Sequence, residues 1–158
     1  MRIICNASPL IFLSKIDRLD LLNSLFDEVL VPVEAWNEAT KKSDNTTKAL
    51  EELKSSGKIS MFTVKNGQAV SAMIGRLHRG EVEVIVGAGE VEISHVILDD
   101  GYARNKAKQM GLFVTGTLGV LLAGHQKGLI ADLNIEINKL RNVGFRISDS
   151  IVDRMMNT

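Results

Sequence analysis

Short apolar segments rich in β-branched residues alternate along the chain with segments of helical periodicity. This alternation limits the possible folds more than any other feature of the sequence. The strand-like segments are residues 2–5, 28–31, 58–64, 95–98 and 112–114. Strands separated by helices imply crossover connections, and crossovers join parallel strands. The pattern therefore predicts an α/β fold, a parallel sheet with helices on both of its faces.

Capping residues predict where several of the helices begin and end. Ser8 is expected to be the N-cap of a helix, with Pro9 at the first helical position. Asp17 is expected to cap a second helix that runs to Leu25. A further helix is predicted from Gly67 to Leu77, and another starts at Arg79-Gly80-Glu81. The chain contains no repeat and no linker long enough to divide it, so a single domain over residues 1–158 is expected.

Composition excludes several classes of protein. No apolar run approaches the roughly 18 residues of a membrane-spanning helix. The N-terminal apolar stretch is short and contains Pro9, which argues against a secretory signal, and the single Cys5 cannot form an internal disulfide. A cytoplasmic protein without membrane attachment is therefore expected. One cysteine and three scattered histidines provide too few ligands for a structural zinc site.

The charge balance weakens the case for a surface that is basic throughout. The chain has 19 basic and 19 acidic residues, so nucleic-acid binding would need a local basic patch beside an acidic pocket. Aromatic residues make up only 4% of the chain, which is few for a platform that stacks single-stranded bases.

Acidic and amide side chains occur where an α/β fold places its chemistry. Asn6 follows the first strand segment, and Asp99–Asp100 follows the fourth. Glu81 starts the helix before the fourth strand, and Glu38 lies on the helix after the second. Ligands of open parallel sheets bind beyond the carboxyl ends of the strands, so these groups converge if the first and fourth strands are neighbours. Clustered carboxylates and other oxygen ligands favour a hard cation such as Mg²⁺ or Mn²⁺, which can promote attack on a phosphodiester.

Each of these residues also has a purely structural interpretation. Asn6 and Asp99–Asp100 could cap the helices that follow them. Glu38 could be a solvated surface residue, and Glu81 could be explained by the helix dipole. Glu83 lies two positions beyond Glu81, points to the opposite side of the helix, and is expected at the surface. The pattern alone leaves both interpretations open.

Other possible motifs fail on their spacing. Residues 115–119 lead from a strand into a helix, but they have neither the lysine of a phosphate-binding loop nor the dinucleotide-binding glycine spacing. Ser8 has no histidine near it in sequence that could activate it as a nucleophile. Cys5 lies inside an apolar strand and is expected to be packed rather than reactive.

Several motifs, spread over nearly all the chain, resemble the PIN-domain-like family. The segment Asn6-Ala7-Ser8-Pro9-Leu10-Ile11 resembles its opening D-x-S-P-L-I. The resemblance is closest to a branch described as predicted nucleic-acid-binding, with a domain of unknown function. The further matching segments are Arg18-Leu19-Asp20-Leu21-Leu22, Val31-Pro32, Gly80-Glu81-Val82-Glu83, Leu98-Asp99-Asp100 with Arg104, residues 114–122 and Gly144-Phe145-Arg146-Ile147-Ser148.

The resemblance implies a three-layer sandwich around a central parallel five-stranded sheet, with an acidic pocket that binds Mg²⁺ or Mn²⁺. It also implies a metal-dependent endoribonuclease with RNA as substrate. Many similar proteins are the toxins of toxin–antitoxin pairs, so the resemblance implies an antitoxin protein as partner. Homodimers are common among similar proteins, and the leucine-rich segment Leu10–Leu25 has more apolar residues than one helix stripe requires. A homodimer is therefore expected.

Carried over position by position, the resemblance assigns roles to individual residues. The implied metal ligands are Asn6, Glu38, Glu81, Asp99 and Asp100, of which Glu38, Glu81 and Asp99 would be catalytic. The implied substrate-binding residues are Ser8, Arg104, Thr115 and Thr117.

One position departs from the family pattern. The family's first acidic residue is Asp, whereas this chain has Asn6, which offers an oxygen but no charge. The departure weakens the expected metal site, so a PIN fold that binds nucleic acid or protein without cutting is the alternative. A small phosphatase is a weaker third possibility, because no strand ends in the D-x-D pattern that an aspartyl nucleophile would use.

Overall fold

The sheet has the predicted α/β topology. A computed structural model describes residues 1–157 and shows one five-stranded sheet in which every pairing is parallel. Its order is β3-β2-β1-β4-β5. The strands are β1 (Arg2–Cys5), β2 (Glu28–Pro32), β3 (Ile59–Phe62), β4 (His95–Ile97) and β5 (Phe113–Thr115).

Ten helices surround the sheet within residues 1–157. They are α1 (Ala7–Lys15), α2 (Asp20–Leu25), α3 (Val33–Thr40), α4 (Asn45–Ser55), α5 (Gly67–Met73), α6 (Arg79–Glu90), α7 (Gly101–Gln109), α8 (Thr117–Gln126), α9 (Leu133–Asn142) and α10 (Asp149–Met156). None of the helices in this range is long and apolar enough to cross a bilayer.

Strand β1 lies at the centre of the sheet and positions the residues that follow it. Ile4 pairs with Val96, and Cys5 pairs with Ile97 of β4. The amide of Asn6 then donates to the carbonyl of Ile97 at 3.1 Å. The first and fourth strands are therefore neighbours, and their carboxyl ends lie side by side.

Two apolar clusters cover the two faces of the sheet. Ile3 and Cys5 pack into one cluster, whereas Ile4 packs into the other, because successive strand residues point to opposite faces. Helices α1 and α8 contribute to the first cluster through Leu10 and Leu121, among others. Helices α6 and α7 contribute to the second. The prediction of helices on both faces is confirmed.

Three helix boundaries differ from those expected. Helix α1 begins at Ala7 with Asn6 as its N-cap, so Ser8 is not the N-cap and Pro9 is not the first helical residue. The other two differences lie at turns. Asp17 has a left-handed backbone (φ +57°) and does not cap α2, whose N-cap is Leu19. The helix predicted from Gly67 to Leu77 ends at Met73, because Ile74 is extended. In both places a turn of the chain replaces helical continuation, and apolar periodicity does not report such turns.

The apolar side chains of the leucine-rich segment pack into the core of the monomer. Leu10, Leu13, Leu21 and Leu22 are at most 1% exposed, and Ile11, Phe12 and Leu25 pack against the same cluster at partial exposure. The extra apolar residues of Leu10–Leu25 are thus explained by the monomer itself. This segment supplies little free apolar surface for a second copy.

Candidate functional site

A pocket of about 570 Å³ opens at the carboxyl edge of the sheet, and we call it the carboxylate pocket. Strands β1 and β4 end beneath it, and α3 and α6 supply side chains from beside it. It is lined by these predicted site residues: Asn6, Ser8, Glu38, Glu81, Asp99 and Asp100. The first and fourth strands thus bring together polar groups that lie far apart in sequence.

Gly80 leaves room for two of these oxygen atoms. A β-carbon at Gly80 would lie 3.2 Å from Glu38 Oε2 and 3.3 Å from Asn6 Oδ1. Both oxygen atoms therefore approach the first turn of α6, where amide groups and the helix dipole favour negative charge. Glu38 is exposed, whereas Asn6 is buried. Although Asn6 is the N-cap residue of α1, its side chain forms no capping hydrogen bond.

Glu81 is the most deeply buried carboxylate of the pocket, at 5% exposure. Its Oε1 accepts a hydrogen bond from the amide of His78 at 3.2 Å. Burial raises the pKa of Glu81, the nearby charges of Asp100 and Glu38 raise it further, and the His78 amide opposes them. A buried carboxylate of this kind is stabilised when a cation or a proton joins it.

Asp99 is held by three donors. Its Oδ1 accepts from the amide of Thr117 at 2.7 Å. Its Oδ2 accepts from the hydroxyl of Thr117 at 2.7 Å and from the hydroxyl of Ser8 at 3.0 Å. These bonds fix the orientation of the carboxylate.

Asp100 caps a helix, which is the structural role considered for it from the sequence. Its Oδ2 accepts from the amide of Ala103 at 2.9 Å and so caps α7. Its charge still acts on Glu81, as the cause of part of the raised pKa there. Asp99 does not cap this helix, so the two neighbouring aspartates have different roles.

The expectation that Glu83 lies at the surface is wrong. Glu83 is 5% exposed, and Arg79 Nε lies 3.3 Å from its Oε2. Burial raises the pKa of Glu83, and Arg79 opposes the shift. Helix α6 is covered by the sheet on one side and by α3 and α5 on others, so opposite sides of this helix are both buried.

The predicted substrate-binding residues lie in three different places. Ser8 lines the carboxylate pocket, whereas Arg104 and Thr115 line a neighbouring cavity beside β5. Thr117 is fully buried beneath Asp99, so it positions this carboxylate rather than presenting its hydroxyl to a substrate.

Several residues that line the pocket had no role assigned from the sequence, and three of them carry aromatic or basic side chains in segments beside a motif. His78, Phe145 and Arg146 all line the carboxylate pocket. Phe145 and Arg146 belong to a segment that matches the family pattern, and His78 lies three positions before Glu81. Only proximity in sequence to a motif could have pointed to them.

The donor set suits a hard cation that keeps part of its water. In residues 1–157, no three histidine, cysteine, aspartate or glutamate side chains are grouped closely enough to hold a metal ion by themselves. However, Asn6 Oδ1 and Glu81 Oε2 are buried without a hydrogen-bond partner. Mg²⁺ is usually held by one or two carboxylates together with water and substrate phosphates. The residues present therefore fit an open site of this type.

Comparisons with known proteins concern the family and the fold of the chain. The family model DUF3368, described as a PIN domain, matches residues 2–158. Among solved structures, the chain is similar to a PilT N-terminus domain protein from the hyperthermophilic archaeon Sulfolobus solfataricus P2. The TM-score is 0.57 at 19% identity, over 78% of this chain and 92% of that one. At this identity the likeness concerns the fold alone. No curated protein matches the chain.

Proposed function

This chain belongs to the PIN domain family, and we propose that it is a metal-dependent endoribonuclease whose centre is the carboxylate pocket. The catalytic carboxylates in this proposal are Glu38, Glu81 and Asp99. Asn6 completes the metal site in place of the family's aspartate, and Asp100 contributes charge beside it.

One observation carries the proposal. Two of the four buried side-chain oxygens that lack a partner within residues 1–157 are Asn6 Oδ1 and Glu81 Oε2. An unpaired buried oxygen costs about 1–3 kcal/mol, and both of these belong to the same pocket. A cation between them and Glu38 would remove this cost and relieve the repulsion between the carboxylates.

Different residues have different parts in the chemistry. A Mg²⁺ or Mn²⁺ ion held there would supply Lewis-acid stabilisation of the charge that develops on the reacting phosphate. Asp99 is oriented by Thr117 and Ser8, so it enters the reaction already aligned. Glu81 has one free oxygen, Oε2, and would hold the ion through it beside Asn6 and Glu38.

RNA is the substrate that the family membership favours. A direct test incubates a 5′-labelled RNA with the purified protein in Mg²⁺, in Mn²⁺ and in EDTA. We expect internal cleavage with either ion and none in EDTA. Glu81→Gln should lower the rate by at least about a hundredfold, since it removes a charged group from the reacting centre. Glu51→Gln changes an exposed carboxylate of α4 and is the matched control.

A second function is favoured by Asn6 itself. An amide brings no charge to the cation, so the site can bind nucleic acid through an ion and still cut poorly. RNA retention in Mn²⁺ without cleavage, together with cleavage by Asn6→Asp, would support this binding module over the native nuclease. Neither retention nor cleavage in either protein would reject both functions.

The expected partners follow from the nuclease proposal. An antitoxin protein would neutralise the chain by covering the carboxylate pocket.

The homodimer stays a prediction, although the apolar side chains of Leu10–Leu25 are mostly buried in the core of the monomer. Light scattering at high concentration decides between a dimer and a monomer mass near 17.3 kDa. The cytoplasmic location also stays a prediction.

A further inference from the structure

A second cavity adjoins the carboxylate pocket, and we call it the β5 cleft. It has a volume of about 390 Å³, within the range of small-ligand sites. Asp99, Phe145 and Arg146 line both cavities, so one opens beside the other. A ligand can therefore occupy the β5 cleft while its neighbouring group reaches the carboxylates.

The wall of the β5 cleft is mostly apolar and comes from three elements. Val114 belongs to β5, Leu118 and Leu122 lie on α8, and Met155 lies on α10. These four side chains are partly exposed rather than sealed in the core. The ring of Phe145 stands at the boundary between the cavities, and its edge-on contact with Phe12 has a centroid distance of 4.9 Å.

Two guanidinium groups stand at the cleft without carboxylate partners. Arg104 is half-buried and is positioned by a hydrogen bond of 3.0 Å from Nη1 to the carbonyl of Leu98. Arg146 is exposed, and neither arginine forms an ion pair among residues 1–157. Neither guanidinium group is therefore paired directly with a carboxylate, and each can still bind an anion.

The backbone at Gly116 makes room for one of these charges. A β-carbon there would lie 2.6 Å from Arg104 Nη1 and 3.0 Å from Asp99 Oδ1. Any side chain at this position would displace the guanidinium. The structure therefore keeps Arg104 close to Asp99, at the junction between the cleft and the carboxylate pocket.

We propose that the β5 cleft is a nucleotide subsite, which holds the base of one nucleotide on its apolar wall and that nucleotide's phosphate at Arg104 and Arg146. The inference rests on the proposed function, because it takes the ligand to be part of an RNA chain. Planar bases stack well on apolar and aromatic surfaces, and guanidinium groups bind phosphate by paired hydrogen bonds. The arginines also offset the repulsion between phosphates and the carboxylate pocket.

The subsite predicts where the substrate is held relative to the reacting centre. A nucleotide in the β5 cleft places the adjoining phosphodiester next to Asp99, since Asp99 borders both cavities. The cleft would then contribute to substrate choice through the fit of the base. Arg104 and Arg146 act as substrate-binding residues in this inference.

The test uses the intact protein in EDTA, so that it is independent of cleavage. Each of the four ribonucleoside 5′-monophosphates is titrated in turn, and binding is followed through backbone amide signals in NMR. We expect shifts at Val114, Gly119 and Met155, and stronger binding of at least one nucleotide than of inorganic phosphate. Arg104→Gln and Arg146→Gln should each weaken nucleotide binding roughly tenfold, the effect of losing a charged hydrogen bond.

Controls separate the subsite from general charge effects and from misfolding. Arg2→Gln removes one exposed arginine at the amino end of β1 and should leave nucleotide binding unchanged. Met155→Glu places a negative charge in the cleft and should weaken binding of the nucleotide. Because this variant can detach α10, Leu122→Gln on α8 is a second change to the apolar wall.

The outcomes distinguish this inference from the proposed nuclease. Equal affinities for phosphate and nucleotides would overturn the proposal of a nucleotide subsite. Changes of the amide signals that are confined to residues outside the β5 cleft would also overturn it. RNA cleavage that is unaffected by Arg104→Gln, Arg146→Gln and Leu122→Gln would also overturn it and leave the nuclease standing. Nucleotide binding in EDTA from a protein that never cuts would support the subsite and reject the nuclease. Binding of an acidic peptide that excludes nucleotides altogether would reject the nucleotide as occupant.

Discussion

Thr117 donates two hydrogen bonds to Asp99, one from its amide to Oδ1 and one from its hydroxyl to Oδ2, each 2.7 Å long. The two residues are 18 positions apart, and α7 and β5 lie between them. Thr117 is fully buried, so its hydroxyl has no water to bond in place of the carboxylate. This pair joins the end of β4 to the start of α8 and fixes a proposed catalytic carboxylate.

Replacing Thr117 with valine tests this connection. Thr117→Val keeps the shape of the side chain but removes the donor to Asp99 Oδ2. We expect a loss of about 1–3 kcal/mol in the free energy of unfolding, the cost of a weakened buried polar contact. Urea denaturation measures it, and Thr117→Ser, which keeps the hydroxyl, should lose less. Equal stabilities for Thr117→Val and the native protein would contradict the assigned hydrogen bond.

Restoring the family's aspartate should strengthen the metal site. Asn6→Asp adds a negative charge beside Glu38 and Glu81, and we expect Mn²⁺ to bind about tenfold more tightly. The metal-free variant should melt at a lower temperature, because another carboxylate joins an uncompensated cluster. Titration calorimetry and melting curves with and without Mn²⁺ measure both effects. Asn105→Asp, on the exposed surface of α7, is the control. Unchanged affinity would place residue 6 outside the metal site.

A methyl group at Gly80 should disturb the site from within. Gly80→Ala would place a β-carbon 3.2 Å from Glu38 Oε2 and 3.3 Å from Asn6 Oδ1, which must then shift. We expect weaker Mn²⁺ binding. Gly89→Ala changes the same helix at a position with nothing within 4 Å, so it should stabilise α6 by up to about 1 kcal/mol and leave Mn²⁺ binding unchanged. Similar Mn²⁺ affinities for both variants would argue that the Glu38 and Asn6 oxygen atoms beside Gly80 do not bind the ion.

Neutralising Glu81 should stabilise the protein when no metal is present. The pKa of Glu81 is raised by burial, by Asp100 and by Glu38, so its ionised form disfavours the folded state. This penalty is absent below the unfolded-state pKa, grows as the pH rises from there to the raised folded-state pKa, and is constant above it. In EDTA, Glu81→Gln should therefore be more stable than the native protein at pH 7, and the difference should shrink at acid pH. Denaturation in EDTA across this pH range is the measurement, and a difference that did not vary with pH would contradict the assigned shift.

Glu136 should make the opposite contribution to the pH dependence. Its side chain is 3% exposed and bonds Arg18 at 2.7 Å and Lys139 at 3.3 Å. The bond from Arg18 lowers the pKa of Glu136, burial opposes it, and Lys139 lowers it further. The resulting stability is present above the unfolded-state pKa, near 4.3, and is lost as the pH falls through the lowered folded-state pKa. Glu136→Gln should cost about 1–3 kcal/mol at pH 7 and less at acid pH. Denaturation at both pH values checks this, with Glu51→Gln as the control.

Local patterns in the sequence were enough to predict the class of the fold. Alternation of short β-branched segments with helical periodicity implies parallel strands, and the structure has five of them. The start of α6 at Arg79 was also predicted, because Gly80-Glu81 are typical of a helix N-terminus. These features depend on neighbours within a few residues, which the sequence displays directly.

Side-chain environments depended on contacts that the sequence does not display. Glu83 was expected at the surface, since helical geometry turns it away from Glu81, yet other helices and the sheet cover that side as well. Thr117 was expected to contact substrate, but it is buried beneath Asp99. Periodicity predicts the side of the helix on which a residue lies. It does not predict which other elements of the fold cover that side.

The sequence by itself determined the order of strands and helices and the acidic or amide residues that follow the strands. Only the tertiary structure decided that β1 and β4 are neighbours, and hence that Ser8 reaches Asp99 across 91 positions of the chain. The physical reason is that strand order comes from burying both faces of the sheet at once, a property of the whole chain. The pocket exists because that arrangement brings two distant strand ends to the same edge.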